Sequence, residues 1–313
     1  MVFHAALVQW IAGLSPIAPI TPQTGHSKLD RGRRRSRRFL MRKDRALLIG
    51  SAAVLALLAM PPAWGETSSV ATEKSKQPAC DRGAFRVVVD VGHTAKHFGA
   101  TSARGAREYD FNLRLAKTIE EKLLAAGFSK SVLLITDGAT YRGLASRVSK
   151  ANRLPADLFL SIHHDSVPDS FLEKWEYEGE QRTYSDRFRG HSIFISNANP
   201  DRNGSLQFAK LLGRQLKDRG LQYTPHYIEK FMGRRQRILI DAETGVYRYD
   251  QLIVLRTTNM PAVLLEAGSI INRDEELAMA SPERQKLIAE AAVEAVDAFC
   301  AARPRRGRPA AKK

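Results

Sequence analysis

Arg86-Val87-Val88-Val89-Asp90-Val91-Gly92-His93 decides the fold. A continuous β-branched run without alternation is the pattern of a strand buried on both faces, as in a parallel sheet covered by helices. The chain downstream alternates helix and strand patterns. Glu108 to Ala126 sets Phe111, Leu115, Ile119 and Leu123 on one helical stripe and stops at Gly127. Val132 to Ile135 is strand-like and Tyr141 to Asn152 helical. Leu158 to Ile162 and His191 to Ser196 read as strands, and Ser205 to Arg219 as an amphipathic helix ending at Gly220. Leu252 to Arg256 and Ala262 to Leu265 read as the last strands, split by a turn at Asn259-Met260-Pro261. A final helix opens on Ser281 as cap and Pro282 at its first position, with Ile288, Ala292, Ala295 and Phe299 facing inward. The expected fold is one α/β domain, a mostly parallel twisted sheet flanked by helices. Two polar stretches, Val167 to Gly190 and Tyr223 to Asp250, exceed ordinary connections and read as insertions near a site.

The charge belongs elsewhere. The chain has 313 residues and a formal net charge of +16. Residues 1–65 hold ten Lys/Arg and two Asp/Glu, and residues 303–313 hold six Lys/Arg and no acid. Residues 66–302 hold 33 basic and 31 acidic residues, so the expected working domain is nearly neutral. That removes the main argument for a nucleic-acid partner. A 43% hydrophobic content excludes a disordered chain, and two cysteines exclude a disulfide-dense scaffold.

The leader has its own reading. Met41-Arg42-Lys43-Asp44-Arg45 is a basic start, and Ala46 to Met60 an apolar run short for a membrane span. Ala63-Trp64-Gly65 offers small residues for cleavage. We expect a signal peptide ending near Gly65, with an uncleaved anchor as the alternative, and a periplasmic protein. Ser36-Arg37-Arg38-Phe39-Leu40 resembles a twin-arginine signal. Met41 is an alternative start that would leave residues 1–40 outside the protein. Residues 66–84 read as a linker, 85–302 as the catalytic domain and 303–313 as a basic disordered tail. Cys80 and Cys300 are expected to pair in an oxidising compartment.

Four residues sit where strands end or helices begin: His93, Glu108, His163 and Glu266. Ligands of open α/β sheets bind at the carboxyl ends of strands, so the fold could gather them. Two imidazoles and one carboxylate make a catalytic zinc set with one position left for water. Zinc lowers that water's pKa toward about 7 and polarises a carbonyl. A further carboxylate can take the proton and return it to a leaving amine. Residue types alone do not assign the four jobs.

Four motifs carry a family resemblance. They are Val88-Val89-Asp90-Val91-Gly92-His93, Glu108-Tyr109-Asp110-Phe111-Asn112-Leu113, Ser161-Ile162-His163-His164-Asp165, and Pro261-Ala262-Val263-Leu264-Leu265-Glu266-Ala267-Gly268 with Asn272. Together with Leu144-Ala145-Ser146-Arg147 and Ala151-Asn152, the chain from Arg86 to Phe299 resembles the zinc-dependent N-acetylmuramoyl-L-alanine amidases of the amidase-3 family. The resemblance implies zinc on His93, Glu108 and His163, and Glu266 as catalytic acid/base. It implies hydrolysis of the amide between N-acetylmuramic acid and L-alanine of the peptidoglycan stem. The sequence departs from the pattern at Thr94-Ala95-Lys96-His97, where a glycine-rich stretch is usual, at His164, and at Ser269. Strand alternation sends His163 and His164 to opposite faces, and the motif places the ligand directly after Ser161-Ile162.

Other residues take structural roles in this reading. Asp90 is a supporting or capping group, and Arg147 a salt-bridge partner. His97, His191 and His226 are placed at the surface or the cleft. Trp175, Tyr177, Tyr184 and Phe188 either pack the insertion or stack on sugars. The regulatory helix of the family's division enzymes has no counterpart between Ile195 and Ser205, and the Pro, Gly and Arg of 223–250 argue against a long helix there. Competing functions are a non-catalytic wall-binding or activator protein on the same fold, and a zinc carboxypeptidase or deacetylase. Expected partners are peptidoglycan and a protein activator, with the basic tail against an anionic wall or membrane surface.

Overall fold

The run that opens on Val87 forms a strand whose five residues are all buried. The computed structural model describes residues 80–138 and 140–303. The stretches expected as signal peptide, most of the linker, and the basic tail beyond Arg303 lie outside the described residues. In chain order the elements are β1 (Val87–Val91), α1 (Glu108–Ala125), β2 (Val132–Leu134), α2 (Thr140–Arg153), β3 (Leu158–Asp165), β4 (Glu173–Tyr177), β5 (Glu180–Tyr184), β6 (Ser192–Ile195), α3 (Arg202–Asp218), β7 (Ile238–Asp241), β8 (Val246–Arg248), α4 (Ile253–Arg256), β9 (Ala262–Ser269), α5 (Arg273–Ala280) and α6 (Pro282–Ala302). Short 3-10 turns lie at Asp169–Phe171, His226–Ile228 and Lys230–Arg235.

Seven strands form one sheet in the order β2-β1-β3-β9-β6-β8-β7. Neighbours are parallel except β6 with β9 and β7 with β8. Side chains alternate between two cores, which is why the strands read as unbroken apolar runs. On one face Val87, Val89, Val91, Leu160 and Leu265 meet Leu115 and Ile119 of α1, Phe208 of α3 and Phe299 of α6. On the other, Val88, Phe159, Phe194 and Leu264 meet Val148 of α2, Leu255 of α4, Tyr227 and Met232. Each fully buried Leu or Ile contributes about 1.5–3 kcal/mol.

Two helix starts follow their local chemistry. Ser281 caps α6 by accepting from Arg284 N, with Pro282 at its first turn. Asn272 caps α5 by accepting from Asp274 N and Glu275 N, and three acids fill its first turn. The disulfide Cys80–Cys300 ties the start of the described chain to α6 across 220 residues. In the chain-entropy view such a closure contributes at most about 5 kcal/mol.

Several expectations are corrected. Leu252 to Arg256 is not a strand: Ile253–Arg256 is one helical turn with Val254 and Leu255 buried. Four apolar residues before Arg256 carry no period to tell the two apart. β3 and β9 run past their expected ends, so His163 and Glu266 lie within strands and pair in register. Segment 167–190 carries the antiparallel hairpin β4–β5, which stands apart from the main sheet. Segment 223–250 is more than an insertion, since β7 and β8 widen the main sheet; its helical parts are 3-10 turns only.

Candidate metal centre

His93 follows β1 through Gly92, and its backbone takes φ 64, a left-handed conformation uncommon for a residue with a side chain. The loop is pinned from three sides. Gly92 N donates to Ile162 O at 3.0 Å. Asn112 Nδ2 donates to Gly92 O at 3.2 Å, and Arg147 Nη2 to His93 O at 2.6 Å. Arg147 also pairs with Asp90 at 3.0 Å, and both are buried. Ser161 Oγ donates to the same Asp90 oxygen at 2.7 Å. Asp90 and Arg147 thus form a buried pair behind the loop rather than part of the donor cluster.

Glu108 begins α1 and turns its carboxylate back across the sheet end. Its Oε2 lies 3.0 Å from His93 Nε2, and its Oε1 3.1 Å from His163 Nδ1. Ala100 N and Asn112 Nδ2 donate to the two oxygens at 3.0 and 3.2 Å. Burial alone would raise the Glu108 carboxyl, but the His93 and His163 rings outweigh it and hold it well below the usual range. Burial pulls His163 down, partly opposed by Glu108. The cluster brings together one carboxylate and two imidazoles, the donor types zinc takes.

One ligand atom from each of His93, Glu108 and His163 fits within 4.8 Å of the other two. Two glycines keep this space open. A Cβ on Gly92 would stand 2.4 Å from His163 Nε2, and one on Gly99 only 2.2 Å from Glu108 Oε2. Chemistry and spacing therefore suit a zinc ion.

Glu266 is the register partner of His163 on β9. Its Oε2 is buried without a hydrogen-bond partner. Burial, then the charges of Asp165 and Glu108, push its carboxyl well above the usual range, while Arg235 pulls it down.

His164 takes the opposite face. Its Nδ1 meets Asn112 Oδ1 at 2.7 Å, its ring lies against Phe111, and burial lowers it to about 3. Through Asn112 it steadies the loop and the carboxylate without joining the cluster. His97 is half-buried and outside the cluster. His191 and His226 are not surface residues, since both are buried. His226 faces Asp165 at 3.5 Å.

The aromatic residues divide into two groups, with Trp175, Tyr177 and Tyr184 half-buried on the hairpin and Phe188 buried. Trp175 stacks on Tyr177 and donates its indole N–H to Ala103 O at 3.0 Å. Guanidinium groups of Arg104 and Arg273 lie over its ring at 5.5 and 5.2 Å, anchoring the hairpin. Phe188 belongs to a separate cluster with Val167 and Ile271. A cavity of about 360 Å³ lined by His191, Lys217, Tyr223 and Thr244 contains none of the four candidate residues.

Three residues beside Glu266 were not singled out from sequence. Asp165 accepts from Tyr227 Oη at 2.8 Å, and Arg235 reaches it at 3.4 Å. Asp165 lay inside a quoted motif; Tyr227 and Arg235 lay in the Tyr- and Arg-rich stretch with no spacing to mark them.

Residues 87–298 match the family described as N-acetylmuramoyl-L-alanine amidase, Amidase_3. The endolysin of Bacillus phage SPP1 is 27% identical over 228 residues, 72% of this chain and 70% of that protein. AmiA of Escherichia coli (strain K12), an N-acetylmuramoyl-L-alanine amidase, is 26% identical over 277 residues, 82% of this chain and 91% of its own. The crystal structure of the amidase Ami1 from Mycobacterium smegmatis shares the fold, with a TM-score of 0.54 at 21% identity, over 71% of this chain and 99% of that one. With the match running through the whole α/β domain and the motif residues gathered at one sheet end, the chain belongs to the N-acetylmuramoyl-L-alanine amidases of the Amidase_3 family, enzymes that hydrolyse peptidoglycan.

Proposed function

We propose that His93, Glu108 and His163 hold a zinc ion, and that Glu266 is the acid/base for cleaving the amide between N-acetylmuramic acid and L-alanine. The observation that carries this reading is the convergence of three donor atoms within 4.8 Å, with Glu266 paired in register to His163. Zinc, when bound, supplies a Lewis acid that polarises the amide carbonyl and makes water a stronger acid. The chain's own residues do the rest. Asn112 and Ala100 fix the Glu108 carboxylate, and Arg147 fixes the His93 backbone. Glu266 takes a proton from the attacking water as a carboxylate and delivers it to the leaving nitrogen as an acid.

The test is zinc content by elemental analysis together with mass analysis of digested murein sacculi. Intact sugar-free stem peptides are expected, with about one zinc per chain. Shortened stems would favour a carboxypeptidase, deacetylated glycan a deacetylase, and no products with no metal a wall-binding protein.

The apolar run 46–60 and Ala63-Trp64-Gly65 support export to the periplasm. N-terminal sequencing of the protein from a periplasmic fraction should read from Glu66. Its basic tail is suited to an anionic wall or membrane surface, which deletion of 304–313 and a sacculus sedimentation assay would test.

A further inference from the structure

The segment 223–250 brings a guanidinium to the Glu266 side of the centre. Arg235 ends the turn Lys230–Arg235. That turn is anchored by Met232 in the core and by Phe231 packed on Phe171 at 5.1 Å. Phe171 belongs to the other long segment, so the two segments lock together here. Arg235 Nη2 donates to Ser166 O at 2.6 Å and reaches Asp165 Oδ1 at 3.4 Å. Asp165 Oδ1 also accepts from Tyr227 Oη at 2.8 Å and Ser166 N at 2.7 Å, and Arg235 is the guanidinium paired with this buried carboxylate. The Arg235 side chain keeps 26% exposure; Nη2 makes both contacts, to Ser166 and Asp165, and Tyr227 also lies against the guanidinium. Arg187 adds a second guanidinium to this rim, 4.7 Å over the Phe231 ring. A guanidinium held through one terminal nitrogen and still partly exposed keeps further N–H donors and its charge for a carboxylate.

Stem peptides offer such a group close to the scissile bond. The residue after L-alanine is linked through its side-chain carboxyl, which leaves its α-carboxyl as a free carboxylate or an amide. We propose that Arg235 reads this group and makes the enzyme prefer the free carboxylate. The proposal rests on the reading of Glu266 as the acid/base, because Arg235 lies on that side of the centre.

Two muropeptides differing only in that carboxylate or amide would be compared on the zinc-loaded full chain. Binding of the corresponding released stem peptides would be measured by calorimetry in parallel. The wild type should favour the carboxylate by about 10- to 100-fold in kcat/KM, carried mainly by KM, and in Kd. Arg235→Gln should bring the two substrates to parity, and Arg235→Lys should keep part of the preference. Equal use of both by the wild type, a preference retained in Arg235→Gln, or an equal loss on both substrates would overturn the proposal. The wild-type comparison and the calorimetry stand even if a variant fails to fold. Carboxylate-selective binding without hydrolysis would contradict the amidase reading and leave this one supported; binding without selectivity would overturn this one.

Discussion

His163 and His164 are consecutive on β3, and the sheet sends them to different tasks. His163 turns toward Glu108 and keeps 15% side-chain exposure. His164 turns into the core, where Asn112 holds its ring and burial lowers it to about 3. Residue type is the same; position in the pleat decides the chemistry. The same contrast divides the centre. One side, His93 and Glu108, is framed by glycines and by the buried Asp90–Arg147 pair. The other side, Glu266, is framed by Asp165, Tyr227 and Arg235 from a distant segment.

The largest expected effect comes from breaking that contrast at β3. His163→Ala should lose zinc and lower stem-peptide release by more than about 100-fold, in line with removal of a ligand or its support. His164→Ala should retain zinc and cost about 1–3 kcal/mol, the penalty of leaving Asn112 unpaired in the core. Elemental analysis with urea unfolding separates the two. If both variants lose zinc alike, the pleat does not distinguish them.

Next in size is the support behind His93. Arg147→Ala leaves Asp90 as a buried charge without its partner and should destabilise by about 3–5 kcal/mol. Replacing both residues with apolar ones of similar size should recover much of that loss. A loss below about 1 kcal/mol would place the pair outside the folded framework.

The smallest effect is a pH slope. Burial lowers His191 to about 4, below its ordinary 6.5. The unfolded chain therefore binds this proton first as pH falls. Its contribution to stability is complete above about pH 6.5 and declines from there toward about pH 4. His191→Gln should flatten unfolding free energy across that window; an unchanged slope would assign it to other groups.

Legibility in the sequence followed how local each signal was. The Val87–Val91 run announced a doubly covered strand because burial on both faces leaves no polar residue to interrupt the pattern, apart from Asp90 with its ion-pair partner. The four candidate residues stood in short motifs at element boundaries. Leu252 to Arg256 misled because its burial within one helical turn leaves the same apolar run a strand would. Tyr227 and Arg235 reach Asp165 across 62 and 70 residues, contacts that only the return of β8 and β9 creates. Their surroundings read as a polar loop because the two turns that present them are short and the second is rich in charge.

The central claim is that one residue performs proton transfer at a metal held by three others. Glu266→Ala, compared with the wild type in the same preparation, tests it most directly. The account predicts about one zinc per chain in both proteins and loss of stem-peptide release by about 100-fold or more in the variant. Full release by Glu266→Ala with zinc intact would contradict it.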